Sequence, residues 1–108
     1  MLDFDADEIQ EKKDRIDEER KKIRERDLSD IKKILDLPEG RRFLWRVLSE
    51  AKVFISCFND NNTTMAYLEG RRDVGLFVLN ELTTANKNAL SKIQNEYFSE
   101  SGKNKRSK

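Results

Sequence analysis

Between Asp7 and Asp36 the chain contains no glycine and no proline, and most positions are Glu, Lys, Arg or Asp. Glu, Lys and Arg lose little side-chain freedom in a helix, and nothing in the run interrupts the backbone ladder. Opposite charges stand four apart in the favourable order: Glu8 with Lys12, Glu11 with Arg15, Asp17 with Lys21, and Glu18 with Lys22. Each such pair adds about 0.2–0.5 kcal/mol. The stretch predicts one long helix, with Asp3, Asp5, Asp7 and Glu8 suited to its positive end. A calcium loop opening at Asp3 fails on spacing, because Glu8 and Asp14 stand where Gly and Glu are needed.

A rod this polar cannot bury itself. Ile9, Ile16 and Ile23 recur at intervals of seven, yet the companion positions of a coiled-coil seam hold Lys12, Glu19 and Arg26. Half of that seam would be charged. The pattern fits a solvated helix, or an arm that lays its isoleucine stripe along a partner. Beyond Arg26 the stripe widens to Leu28, Ile31, Ile34, Leu35 and Leu37, enough to pack on a neighbouring domain.

Leu37-Pro38 carries the one proline and marks the main boundary. Proline suits a first helical turn and biases the residue before it away from helical angles. Asp36 and Glu39 have capping-box spacing. A second helix is therefore expected from Pro38, with Leu44, Val47, Leu48, Ala51, Phe54, Ile55 and Phe58 as its apolar stripe and Cys57 packed beside it. Residues 59–64 read as a loop rich in N-caps. A third helix from Thr64 to Leu82 should bury Leu68, Gly75, Leu79 and Leu82, with Val74, Phe77 and Val78 alongside. Gly70 and Gly75 each cost about 1 kcal/mol against Ala in a helix, which points to close approach by another segment. A fourth helix, Ala85 to Phe98, aligns Asn86, Leu90, Ile93 and Tyr97.

The expected fold class is thus all-α: a charged helical arm (1–36), a compact three-helix domain (37–98) and a basic tail (99–108), disordered unless a partner holds it. The domain spans about sixty residues, and a core that small rarely supplies more than about 3–5 kcal/mol. Such a chain is built to complete its structure on a neighbour.

Charge and composition narrow the chemistry. The arm carries 13 acids and 10 bases, the domain 7 and 8, and the tail Glu100 against Lys103, Lys105, Arg106 and Lys108. The overall charge of +1 gives no global pull toward nucleic acid. There is no histidine, which removes the usual general base and metal ligand, and the one cysteine forms no intramolecular disulfide. No metal, cofactor or catalytic residue is expected, and the chain is not expected to be an enzyme. No apolar run approaches membrane-spanning length, and the acidic start does not resemble a secretory signal, so a soluble protein is expected.

One short phrase occurs twice, Glu39-Gly40-Arg41-Arg42 and Glu69-Gly70-Arg71-Arg72. In each copy the Glu and second Arg form an i,i+3 pair, and Trp45 lies within stacking reach of Arg41 and Arg42. Arg46 extends the first cluster. The arginines suit a brace in which Glu39, Glu50, Glu69, Asp73 and Glu81 hold them, or a patch for an acidic partner. With the tail, they would also suit nucleic-acid phosphate.

The segments Leu37-Pro38-Glu39-Gly40-Arg41-Arg42-Phe43-Leu44-Trp45-Arg46-Val47-Leu48-Ser49-Glu50-Ala51 and Tyr67-Leu68-Glu69-Gly70-Arg71-Arg72-Asp73-Val74-Gly75-Leu76 resemble a small domain family encoded by tailed bacteriophages, over about residues 37–82. The resemblance implies a virion-associated or assembly protein, made in the host cytoplasm and placed in the virion. Its implied partners are other virion proteins and further copies of itself. It supplies no catalytic residues. The expected function is an adaptor or accessory subunit of the head, head–tail junction or tail. Its candidate contact residues are Arg41, Arg42, Trp45, Arg46, Arg71, Arg72, Ile9, Ile16, Ile23, Lys103, Lys105 and Arg106. The alternative is a DNA-handling accessory of packaging or ejection, using the arginines and the basic tail.

Overall fold

The structure, a computed structural model, describes residues 5–106, with side chains described as far as Ser101. Four helices follow in order: α1 (Ala6–Asp36), α2 (Pro38–Glu50), α3 (Asn62–Ala85) and α4 (Ala89–Arg106). The fold is all-α. Among the described residues, no helix is long and apolar enough to cross a membrane.

The breaker-free run forms one helix of 31 residues, about 46 Å long. Asp5 caps it by accepting from the Asp7 N–H at 3.0 Å. None of the four expected i,i+4 ion pairs closes within 4.0 Å. Exposed Lys, Arg and Glu side chains lose as much entropy by pairing as they gain in attraction, so water keeps them. From Asp5 to Arg26 every residue is exposed. This free length stretches the molecule to 80 × 40 × 17 Å, with a radius of gyration of 20.8 Å. A compact chain of this size would have a radius near 13 Å.

Past Arg26, α1 joins the core. Leu35 is buried there with Leu48, Ala51, Val53, Leu82, Ala85, Ala89 and Ile93, while Leu28 and Ile31 pack against the cluster. Ile34 and Leu37, expected to pack, stay largely exposed at the α1–α2 elbow. The capping box does not form. Asp36 remains in α1, and the N-cap of α2 is Leu37, whose side chain offers no acceptor.

The second helix is eight residues shorter than its apolar stripe implied, ending at Glu50. Lys52 turns to φ 56°, its N–H reaches Ser49 O, and the Val53 N–H reaches Leu48 O. This is a Schellman closure with Lys where glycine is usual, and buried Leu48 and Val53 form its apolar pair. The turn drives Ala51 and Val53 against Gly75, where a Cβ would overlap both side chains. Packing thus overrides the helical stripe. Phe54, Ile55 and Phe58, expected in the core, are consequently exposed.

The Asn61 side chain accepts from the Thr64 N–H at 3.0 Å and starts α3 two residues early. At its other end, the Thr83 and Thr84 hydroxyls donate to Leu79 O and Asn80 O, so these threonines ride in the last turn rather than break it. Gly75 and Leu82 are buried, but Leu68 and Leu79 are only half-buried. Asn86 closes α3 instead of lying on α4. Beyond Phe98 the backbone continues as α4 to Arg106, where basic residues favour the negative end of the helix.

Candidate functional site

The last four carbonyls of any helix lack intrahelical donors. At the end of α2 each finds one: Ala51 N–H for Val47 O, Val53 N–H for Leu48 O, and Lys52 N–H for Ser49 O. The fourth, Glu50 O, accepts from Arg71 Nε, and the Glu50 carboxylate stands 3.4 Å from the same guanidinium. Arg72 Nε donates to Val53 O at 3.1 Å, just past that turn. In the first copy of the phrase, Arg41 Nη1 donates to Leu35 O at 2.7 Å, at the end of α1. Its Nε and Nη2 grip the Glu96 carboxylate of α4 at 2.9 Å.

Arg72 therefore holds the turn that follows α2, and two of the four phrase arginines, Arg41 and Arg71, close helix ends. A cation belongs there, because the C-terminal carbonyls carry the negative pole of the helix. The expected brace exists, but its acceptors are mostly carbonyls. Arg41 uses Glu96, an acid outside the expected set, and Glu81 instead binds Arg24 at 2.6 Å. That hydrogen bond holds the Arg24 guanidinium above its ordinary pKa and ties α1 to α3. Glu69 does not pair with Arg72, and Glu39 lies a loose 3.9 Å from Arg42.

The remaining candidates face outward. Arg42 and Arg46 are exposed, and Arg46 has no ion-pair partner among the described residues. Trp45 meets rings rather than a guanidinium: Tyr97 at 4.9 Å between centroids and Phe54 at 6.0 Å. Tyr97 in turn meets Phe98 edge-on at 5.5 Å. The resulting aromatic ridge divides two clefts. One, of 590 Å³, is floored by Pro38, Arg41 and Ile93. The other, of 730 Å³, is bounded by Phe43, Val47, Arg71 and Val74. Trp45, Arg46 and Tyr97 line both.

A second apolar surface runs along α3, where Tyr67, Val74 and Phe77 are all exposed and the space around Gly70 is open. Close approach explains Gly75 but not Gly70. Ile9, Ile16 and Ile23 form a third surface on the free part of α1. The side chains of Lys103, Lys105 and Arg106 lie outside the described ones, and Lys108 lies outside the described residues altogether.

Phe43, Phe54, Tyr67 and Tyr97 lie at the surface, a placement that the sequence does not show. Periodicity marks a residue as apolar on a given face; it does not say which apolar face the fold covers. Only α3 gave a signal, since it carries apolar residues around most of its circumference, more than one core can bury.

These features define a small all-α protein braced by arginines, with much of its apolar surface left open. Within that class the match is specific: the family described as Bbp19-like phage protein matches residues 31–94, and the chain belongs to that family. It is a phage protein. The matched span opens at Ile31, close to where α1 enters the core, and excludes the isoleucine stripe. No curated protein and no solved structure matches the chain.

Proposed function

We infer that this protein is a virion-associated structural subunit, an adaptor or accessory of the head, head–tail junction or tail, acting through protein–protein contacts. One observation carries this reading. Fifteen large apolar side chains are exposed among the described residues, against eight residues in the buried core. Isolated exposed apolar residues are ordinary on a monomer, but the apolar faces on α3 and around Trp45, with the regular isoleucine stripe of α1, mark contact surfaces. On this reading the protein carries no catalytic chemistry.

The DNA-handling alternative is weakened by the same geometry. Arg41, Arg71 and Arg72 are engaged within the fold, leaving Arg42 and Arg46 free to meet phosphate. DNA affinity that fell steeply with salt and weakened on deletion of residues 103–108 would revive it.

The direct test is mass spectrometry of purified virions, with copy number measured against the major head protein. Stoichiometric presence after stringent purification supports the reading. Expression in infected cells with absence from virions sinks it.

A further inference from the structure

The free part of α1 has no route back to its own body. Residues 6–36 form one helix without glycine or proline, anchored at its far end by Leu35 in the core and by Arg24 on Glu81. Ile9 and Ile16, 51% and 48% exposed, are therefore covered by another molecule or by none. Their segment is also polarised. Residues 5–19 hold eight acids (Asp5, Asp7, Glu8, Glu11, Asp14, Asp17, Glu18, Glu19) against Lys12, Lys13 and Arg15, a net charge of −5.

The body carries a surface of matching character: its two clefts hold Arg42 and Arg46 against one acid that no arginine holds among the described residues, Glu100, while Glu96 and Glu50 there are paired with Arg41 and Arg71. Phe43 and Tyr97 are 60% and 43% exposed, beside the solvent-facing guanidiniums of Arg42 and Arg46. The two clefts lie on either side of the Trp45–Tyr97 ridge. Ile9 and Ile16 stand two helical turns apart, about 10 Å, on one side of α1.

We propose that the acidic first half of α1 docks across the Phe43–Trp45–Tyr97 face of a second copy of this chain. Ile9 and Ile16 enter the two clefts, and the acids around them meet Arg42 and Arg46. This names the partner for one contact surface of the virion-subunit reading and rests on it. Arm and face are different surfaces, and each copy offers one of each, so the contact is either exchanged reciprocally within a two-fold dimer or made head to tail, closing into a ring if the rotation permits.

The test uses full-length protein and light scattering over a concentration series, with circular dichroism to confirm helicity. An arm variant carries Ile9→Asp and Ile16→Asp; a face variant carries Arg42→Glu and Arg46→Glu. All four side chains are exposed, so both variants should keep the fold. Wild type should form oligomers, and each variant alone should be monomeric, its self-affinity lowered at least about tenfold. Mixed together, they should give a one-to-one heterodimer and stop there, because the intact arm of one finds the intact face of the other. A wild type that stays monomeric throughout overturns the proposal. So does a face variant that assembles normally, which would show arm pairing with arm. Either failure with the protein still present in virions would leave the structural-subunit reading standing.

Discussion

The two copies of Glu-Gly-Arg-Arg read alike as sequence and behave differently as structure. Gly40 sits at the α1–α2 elbow, where a Cβ would overlap the Ile34 carbonyl oxygen, whereas Gly70 has open space around it. Arg41 is 8% exposed and closes α1 while gripping α4, so one guanidinium joins three helices. Arg71 and Arg72 are partly exposed: Arg71 binds the carbonyl and the carboxylate of Glu50, and Arg72 donates to Val53 O just past the α2 turn. The first copy is a keystone inside the fold; the second is a clasp on its surface. What separates them is where the flanking helix ends: α1 stops beside the first copy, and α2 stops beside the second. Identical residues acquire their roles from the carbonyls they meet.

The largest effect is expected at Arg41. Arg41→Met keeps the volume but removes the bonds to Glu96 and Leu35 O, costing about 2–3 kcal/mol. Urea unfolding at constant slope measures it; a loss no greater than that of Arg72→Met would erase the distinction between keystone and clasp. Gly40→Ala comes next, losing about 2 kcal/mol because the obstructing atom is backbone and cannot swing aside. Arg72→Met should cost about 1 kcal/mol, since Val53 O loses its donor beside partial solvent. Gly70→Ala should have the opposite sign to Gly40→Ala, raising stability by about 1 kcal/mol in thermal unfolding of dilute protein. A destabilised Gly70→Ala would place a close neighbour at that site and break the comparison. Arg42→Ala should stay within about 0.5 kcal/mol of wild type, as its one ion pair is long and exposed.

Much of the architecture was readable in advance. The breaker-free run made α1, Pro38 opened α2, and the loop of residues 59–64, rich in N-caps, supplied the cap of α3. Those signals are local, set by propensity and capping within a turn or two, and they survive folding. The end of α2 was not readable, because the Phe54–Phe58 stripe continues the helical period without fault. The chain turns at Lys52 because Ala51 and Val53 gain contact with Gly75, a residue more than twenty positions away. Nor could sequence show that Arg41 would choose Glu96 or that Trp45 would meet Tyr97, since α4 approaches α2 only once the core has closed.

Residue order alone decided that the chain would be helical, where three of its four helices would start to within about two residues, and that its arm would be polar with a thin isoleucine stripe. Tertiary packing decided which apolar faces were covered and which guanidiniums were consumed. The reason is that eight buried residues exhaust the available core. Residues with equal claim by periodicity compete for it, and losers such as Phe54 and Tyr97 join Phe43 and Tyr67 on the surface on which function is proposed.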